Sequence, residues 1–466
     1  MQRETVDKSL HYSEPFQIGY YYENMDKPDS AILYYKKSHP LLWEHALFRM
    51  GCCSRKLEKY REATIYYELV LKYYPEFVYT DSAMQELSKC YEKLGEHEEV
   101  LPQKAISIRK NSNKDSAIFM NATLLEELGK KEEAISKYNE IHTSSTFYEL
   151  SNIRKGLLAM ELGNDSVAIE AFKHISPPAS YYWSHKVYVN DGKEDSAKIC
   201  TQNLLKDYPL SYYAWRLGSK DGISEIEPEL WISEHSDTSY TLSSTDKRRL
   251  ERSKLLLELE IPEIAIDEID AIRETNPIFI WRLIELFDSH GLNNCAIRYG
   301  KKIKLRGELP RKVASLIYPQ SFMSIVNEVA GTVDGFLLLA IIREESYFNP
   351  KAVSTSNAIG LTQILPSTGN SIARKLKVDN FDLFDPYTNI QFGSYYLSYY
   401  FDSFDGKPEL ALAAYNGGPT RVAEWIAKGD TSKLDVWVER IPRDQTREYV
   451  KKVLSSYLVY QLLWKQ

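Results

Sequence analysis

Hydrophobic and polar positions over the first two thirds of the chain recur with a regular period. Each unit has an acidic or polar turn, then a small apolar residue, then a helix rich in aliphatic and aromatic side chains. In successive units the small residue is Ala31, Ala63, Val100, Ala134, Ala168 and Ala197, at spacings of 32, 37, 34, 34 and 29 residues. This period of roughly 34 residues is typical of a stacked two-helix repeat, and it predicts pairs of antiparallel helices.

A short side chain at the repeat position has a packing reason, because two antiparallel helices approach closely only where a side chain is small. Tyr-Pro or His-Pro closes several units, as expected for a helix stop: His39-Pro40, Tyr74-Pro75 and Tyr208-Pro209. After the polar segment Ser233–Ser244, which is typical of a loop, the pattern resumes at Ala265 and Ala296. We therefore predict a tetratricopeptide-like, all-α superhelix over residues 1–230 and a continuing repeat or linker region over residues 231–317.

The repeat pattern of residues ends near Pro319, and residues 318–466 form a third predicted region. Its segment Gly335–Phe348, GFLLLAIIREESYF, has seven consecutive apolar positions and predicts a helix buried on all sides. Asn349-Pro350 should end this helix. Both Glu344 and Glu345 would then lie in its last turn, where burial and the negative end of the helix dipole raise the pKa of a carboxyl group. Such a group can donate a proton near neutral pH.

The two glutamates point about 100° apart on a helix, so only one of them can face a cleft. We expect the other to lie on a solvated face. Position alone does not decide between them, and two ordinary surface charges remain an alternative.

Composition narrows the range of functions only a little. The net charge of −7 argues against a dedicated nucleic-acid binder, which would normally be basic. The five cysteines have no metal-binding spacing and are interpreted as small buried apolar residues rather than a disulfide framework. The apolar run Phe336–Ile342 is too short to span a bilayer, and no apolar export signal stands at the start of the sequence. These features fit either a cytoplasmic protein or an exported one whose signal is not part of this sequence.

Five motifs occur in order in the last third of the chain: REESYFNP, NAIGLTQILPST, FDPYTNIQFGSYYL, ALAAYNGGPTRV and VERIPRDQTREYVKKV. Together they resemble the catalytic domain of the soluble lytic transglycosylases, a lysozyme-like fold, from about Tyr318 to the end of the chain. Larger members of that family also carry a helical superhelix before this domain. The resemblance therefore implies an all-α protein, with a tetratricopeptide-like α-superhelix followed by a lysozyme-like transglycosylase SLT domain.

The resemblance places Glu345 at the position of the catalytic acid, directly before Ser346, which would support the helix end. It implies that the substrate is bound by Ser354, Gln363, Tyr415, Asn416, Glu439 and Tyr449. Simpler roles remain open for three sites: Ser354 could end a turn, Tyr449 could be a core aromatic residue, and Tyr415–Pro419 could be a helix cap and turn.

Three positions depart from the usual family pattern, namely Thr362, Leu365 and Gly417. We expect all three to flank the cleft and to affect the preference among sugar subsites rather than the reaction.

The family's reaction cleaves the β-1,4 bond between N-acetylmuramic acid and N-acetylglucosamine without water and forms a 1,6-anhydro sugar. The resemblance implies that Glu345 acts alone as acid and then base, with no metal or cofactor. One alternative is a hydrolytic muramidase of the goose-type lysozyme kind, in which Asp382, Asp385 or Glu439 activates water. Another is a repeat scaffold with an inactive glycan-binding domain.

The expected partners are peptidoglycan glycan strands, with cell-wall proteins bound through the repeats. The expected location is the periplasm.

Overall fold

The computed structural model describes residues 14–38, 43–74, 77, 79–94, 114–221, 231–232, 240–302 and 309–465. Contacts between residues divide the chain into two compact units, residues 1–158 and residues 159–466. No helix in these described ranges is long and apolar enough to cross a membrane.

The first unit consists of helical hairpins in the described residues. Its helices are α1 (Glu14–Asn24), α2 (Pro28–Tyr35), α3 (Trp43–Lys56), α4 (Tyr60–Tyr73), α5 (Thr80–Leu94), α6 (Lys114–Glu127), α7 (Lys131–Tyr138) and α8 (Tyr148–Glu161), the last of which runs into the second unit. The predicted repeat residues Ala31, Ala63 and Ala134 are each the fourth residue of a helix and are fully buried. Val100, with His39, Pro40 and Pro75, lies outside the described residues.

The second unit begins with further hairpins and a short loop-to-loop pairing. Its first helices are α9 (Asp165–Lys173), α10 (Ala179–Asn190), α11 (Glu194–Asp207), α12 (Tyr212–Asp221), α13 (Ser244–Glu258), α14 (Pro262–Asp270), α15 (Pro277–Ser289), α16 (Asn293–Gly300) and α17 (Arg311–Ile317). Ala168, Ala197, Ala265 and Ala296 again stand fourth in a helix and are buried. In each case the alanine N–H donates the first helical hydrogen bond, so the turn and the close helix contact coincide.

Strands β1 (Trp231–Ile232) and β2 (Leu309–Pro310) form a parallel pair of two residues each. Of the predicted loop, residues 233–239 lie outside the described part. Helix α13 begins at Ser244, with the Ser243 hydroxyl accepting from the N–H of Asp246 at 3.1 Å. The expected all-α class is confirmed, and the boundaries that divide the superhelix, the repeat or linker region and the last domain stay a prediction.

The last helices of the chain include α19. They are α18 (Met323–Val329), α19 (Gly335–Ser346), α20 (Pro366–Leu376), α21 (Pro386–Ser403), α22 (Pro408–Gly417), α23 (Pro419–Lys428), α24 (Leu434–Glu439) and α25 (Asp444–Trp464). Residues 337–342 of α19 are at most 2% exposed, as the apolar run predicts. Helix α25 packs along α19 and also contacts α12, α22 and α24. The acid-bearing end of α19 is therefore held by a long partner helix.

Candidate active site

The site is built at the C-terminal end of α19. The Asp334 side chain caps its start, accepting from the N–H of Phe336 at 2.8 Å. The helix ends at Ser346, before the predicted stop at Asn349-Pro350, because Tyr347 and Phe348 both adopt left-handed backbone conformations, with φ of 51° and 62°. This sharp corner leaves Glu345 as the penultimate residue of the helix.

Glu345 is a partly buried carboxyl group without an ion-pair partner among the described residues. Burial raises the pKa of Glu345 to about 7, and the neighbouring charge of Glu344 acts in the same direction. The Tyr449 hydroxyl approaches Glu345 and favours its charged form, but lies outside hydrogen-bonding geometry. Glu345 can therefore hold a proton near neutral pH and release it there.

Glu344 lies in the opposite environment, and the expectation that the second glutamate is solvated is wrong. Its side chain is 6% exposed and pairs with Arg343 and with Lys301, whose Nζ lies 3.1 Å from Oε2. The Ser456 hydroxyl also donates to Glu344 Oε1 at 2.8 Å. Burial raises the pKa of Glu344, but the two cations and these hydrogen bonds outweigh it, so the pKa lies below its ordinary value.

Ser346 joins the acid-bearing helix to the loop that follows. Its Oγ lies 3.0 Å from the carbonyl oxygen of Ile342 and 2.8 Å from that of Leu361. Gln363, two residues further on, has a left-handed φ of 51°, and its Nε2 donates to the carbonyl oxygens of Ala352 and Gly360 at 3.3 and 3.0 Å. The amide of Gln363 is thus oriented by its own loop, which is tied to the end of α19.

Ser354 stands in a tight turn of the same loop. Its hydroxyl accepts from the N–H of Ala358 at 2.9 Å, and its backbone N–H donates to the Ala358 carbonyl oxygen at 2.9 Å. The side chain is partly exposed. These bonds give Ser354 the turn-forming role that the sequence left open, and they leave its exposed side available to a ligand.

Tyr415 connects the next helix to this loop. Its hydroxyl donates to the carbonyl oxygen of Thr362 at 2.8 Å, and its ring lies 5.3 Å from that of Tyr396. Burial, and then the charge of Glu345, raise the pKa of Tyr415 well above its ordinary value. Tyr415 is therefore a neutral hydroxyl, and it lies close enough to Glu345 for the carboxylate to oppose ionisation of the tyrosine.

Asn416 and Tyr449 are held by the contact between α22 and α25. The Thr446 hydroxyl donates to Asn416 Oδ1 at 2.9 Å. Tyr449 is 9% exposed, and its hydroxyl has no hydrogen-bond partner among the described residues. Burial, and then Glu345, raise the pKa of Tyr449 well above its ordinary value. The structure thus brings Tyr415 and Tyr449 to Glu345.

Glu439 does not line the cleft, contrary to the expectation from sequence. It has no solvent-exposed surface and sits between Lys451, whose Nζ donates to Oε2 at 2.8 Å, and Tyr213, whose hydroxyl donates to Oε1 at 2.6 Å. Burial raises the pKa of Glu439, but Lys451 and these hydrogen bonds outweigh it and hold the pKa below its ordinary value. Both carboxylate oxygens are satisfied inside the protein.

The three residues that depart from the family pattern differ in how deeply they are buried. Thr362 is fully buried, because its hydroxyl bonds to Asn389 and its side chain packs where Gly393 leaves room, so the expectation that it flanks the cleft is wrong. Gly417 is also buried, against Thr446. Leu365 is 40% exposed. Sequence reasoning missed the roles of Thr362, Lys451 and Tyr213, and nothing local to those residues marks them.

Comparison with known proteins finds two family models that match parts of the chain. Residues 322–438 match the family model of the transglycosylase SLT domain, and residues 45–76 match that of a tetratricopeptide repeat. The soluble lytic murein transglycosylase of Escherichia coli (strain K12) is 38% identical over 129 residues, which are 26% of this chain and 20% of that protein. The chain therefore aligns with about a fifth of the length of that relative. The resemblance stated from the motifs is confirmed for this domain.

Two solved structures have a similar fold over nearly the whole chain. An inactive mutant of the lytic transglycosylase Slt from Pseudomonas aeruginosa aligns with a TM-score of 0.60 and 17% identity, covering 96% of this chain and 80% of that one. The 70 kDa soluble lytic transglycosylase from Escherichia coli aligns with a TM-score of 0.58 and 18% identity, covering 95% and 80%. At this identity the likeness shows the fold alone.

Proposed function

We propose that this chain, whose residues 322–438 form a transglycosylase SLT domain, is a peptidoglycan lytic transglycosylase with Glu345 as its single acid and base. The observation that carries the proposal is the state of Glu345. It is a partly buried carboxyl group with a pKa of about 7, lacks a cationic partner among the described residues, and lies beside the hydroxyls of Tyr415 and Tyr449.

In the first step, protonated Glu345 donates its proton to the oxygen of the bond between N-acetylmuramic acid and N-acetylglucosamine. The bond from C1 to that oxygen breaks, and the N-acetylglucosamine side leaves with the proton. The acetamido group of the muramic acid stabilises the positive charge at C1, as in substrate-assisted glycosidases. Tyr415, neutral at any physiological pH and close to Glu345, would bind the substrate next to the acid.

In the second step, Glu345 is a carboxylate and accepts the proton of the C6 hydroxyl of the same muramic acid. The C6 oxygen forms a bond to C1, which gives a 1,6-anhydro sugar. The acid is protonated again at the end of the cycle, so no water is consumed. A pKa near 7 suits this exchange, because the group is only weakly biased toward either state.

A one-carboxylate mechanism is favoured by the state of the other candidates. A hydrolase normally needs a second carboxylate placed to activate water or to attack. Asp382 and Asp385 accept backbone hydrogen bonds, from Phe384 and Thr388 at 2.8 Å each, and act as caps. Glu439 is enclosed by Lys451 and Tyr213. Glu439 is therefore not available as a base, and Asp382 and Asp385 are exposed residues that hold the turn before α21.

The test is product analysis of purified peptidoglycan sacculi. Wild type should release fragments with 1,6-anhydro ends, which mass spectrometry distinguishes from hydrolysed ends because they are lighter by one water. Glu345→Gln should lower the release by about 10³-fold, since general acid–base groups contribute on the order of 10²–10⁴-fold. The exposed Glu424→Gln is the matched control and should act like wild type. Release by wild type should fall as the pH rises above about 7, because Glu345 loses its proton.

Other outcomes identify the alternatives. Hydrolysed muramic acid ends would show a muramidase. Sacculus binding without release, equal in wild type and Glu345→Gln, would show a scaffold with an inactive domain.

The remaining roles extend the same proposal. We assign substrate contacts to Ser354, Gln363, Tyr415, Asn416 and Tyr449, with residues 318–466 as the catalytic domain. The repeats over residues 1–230 and 231–317 would contact glycan strands or cell-wall proteins. Because peptidoglycan lies outside the cytoplasmic membrane, we place the protein in the periplasm. Fractionation of native cells that finds it only in the cytosol would contradict that location.

A further inference from the structure

Three buried carboxyl groups of the last helices take their partners from the repeat helices α10 and α12. The pairs are Glu409 with Arg216, Asp435 with Tyr182 and Lys186, and Glu439 with Tyr213. A buried charge that loses its partner is strongly destabilising. Helices α10 and α12 therefore belong to the folded body that holds the candidate active site.

Of these contacts, the one through Tyr213 reaches α25, the helix that carries Tyr449. The Tyr213 hydroxyl donates to Glu439 Oε1 at 2.6 Å and accepts from Lys451 Nζ at 3.1 Å. Lys451 Nζ also donates to Glu439 Oε2 at 2.8 Å. One hydroxyl thus closes a three-residue network that joins α12, α24 and α25, and each of the three groups is largely buried.

Lys451 and Tyr449 are two residues apart on α25. The Tyr449 hydroxyl faces Glu345 and favours its charged form, but it makes no hydrogen bond of standard geometry with a described residue. The distance between the two groups therefore depends on where the α25 backbone lies. The groups that face Glu345 are Glu344 on its own helix, Tyr415 on α22 and Tyr449 on α25.

We propose that Tyr213 is a positioning residue for the catalytic acid: through Glu439 and Lys451 it fixes the turn of α25 that holds Tyr449 beside Glu345. Its effect on turnover rests on the proposed function, whereas its effect on the surroundings of Glu345 does not. The repeat helix α12 would then contribute to the chemistry without touching the substrate.

The test compares Tyr213→Phe with Tyr212→Phe in the full chain. Tyr212 is the adjacent buried tyrosine, and its hydroxyl has no hydrogen-bond partner among the described residues, so its loss is the matched control. Tyr213→Phe should lower kcat roughly 3- to 10-fold, since small misplacements of reacting groups have large effects on rate, and change KM less than about twofold. The alkaline limb of the kcat profile should move to higher pH, because Tyr449 favours the charged form of Glu345.

A second readout needs no substrate. Carbon-13 labelling of glutamate carboxyl groups, assigned by difference with Glu345→Gln, gives the titration of Glu345 by NMR. Its midpoint should rise in Tyr213→Phe and stay at the wild-type value in Tyr212→Phe. Lys451→Arg, which keeps the charge but changes the geometry, serves as a second variant and should shift the midpoint in the same direction.

Midpoints that coincide in Tyr213→Phe, Lys451→Arg and Tyr212→Phe would overturn the positioning role, as would a change in KM alone. If wild type releases no anhydro ends, the proposed function is wrong, and the NMR titration still decides the role of Tyr213.

Discussion

Glu344 and Glu345 are neighbours at the end of one helix, but their carboxyl groups have opposite surroundings. Glu344 is enclosed by Arg343, Lys301 and Ser456. Glu345 has no cation among its described neighbours and faces tyrosine hydroxyls instead. On the Glu344 side of the helix end, the carboxylate is charged and paired with protein groups. On the Glu345 side, the carboxyl group is unpaired among the described residues and can exchange a proton.

This difference shows which physical factor separates an acid from an anion. Burial raises the pKa of both groups, so burial by itself does not distinguish them. The cations beside Glu344 reverse the effect of burial on its pKa. The negative charge that Glu344 then keeps adds to the effect of burial on the pKa of Glu345. An ion pair next to the acid thus helps to keep the acid protonated.

The largest expected effect on this comparison is that of Glu344→Gln on stability. Arg343 is 3% exposed, and it would lose its buried counter-charge, at a cost on the order of 3 kcal/mol. Urea unfolding at pH 6 measures this loss. Glu345→Gln, one residue away, is the control and should not lower the free energy of unfolding at that pH. Equal losses in the two variants would contradict the distinction between the two sides.

The next largest expected effect is a pH-dependent gain in the free energy of unfolding from Glu345→Gln. The folded-state pKa of about 7 lies above the ordinary value of 4.5, so the stability that comes from a neutral Glu345 is complete below pH 4.5 and is lost as the pH rises through 7. At pH 8.5 the free energy of unfolding of Glu345→Gln should exceed that of wild type by up to about 3 kcal/mol, since one pKa unit corresponds to about 1.4 kcal/mol. At pH 5 the gain should be less than about 1 kcal/mol.

Urea unfolding at both pH values, with the exposed Glu424→Gln beside it, checks this prediction. A difference between wild type and Glu345→Gln that does not change with pH would mean that Glu345 titrates normally.

The smallest effect is expected from Lys301→Met. Lys301 bonds to Glu344 and to the Tyr347 hydroxyl, but its side chain is 37% exposed and water screens the pair. The loss should be at most about 1 kcal/mol, less than that of Glu344→Gln. Thermal unfolding of Lys301→Met beside the exposed Lys375→Met measures it. A loss as large as that of Glu344→Gln would assign the stabilisation of Glu344 to Lys301 rather than to Arg343.

Features governed by local pattern could be predicted from the sequence. The apolar run before Arg343 gave a helix buried on all sides, because a continuous run has no polar face to turn outward. The repeat alanines could be located because each one combines a turn and a close helix contact within four residues. The end of α19 was predicted too late, because neither Tyr347 nor Phe348 is a residue type that marks a left-handed corner.

Features that depend on distant partners could not be predicted. Glu344 was expected on a solvated face, but its partner Lys301 lies 43 residues earlier in the chain. Glu439 was expected at the cleft, but Tyr213 lies 226 residues earlier. In both cases the predicted surroundings of the carboxylate were wrong, because a charged side chain in the sequence does not reveal which residues surround it after folding.

The double contact of Ser346 has a consequence for how a sugar chain enters. Since its hydroxyl lies within bonding distance of both the acid-bearing helix and the loop before Gln363, it ties these two walls together. A bulky ligand that spread them apart would have to break the contact between Ser346 and Leu361. Widening at Tyr449, whose hydroxyl makes no hydrogen bond of standard geometry with a described residue, would break no such contact.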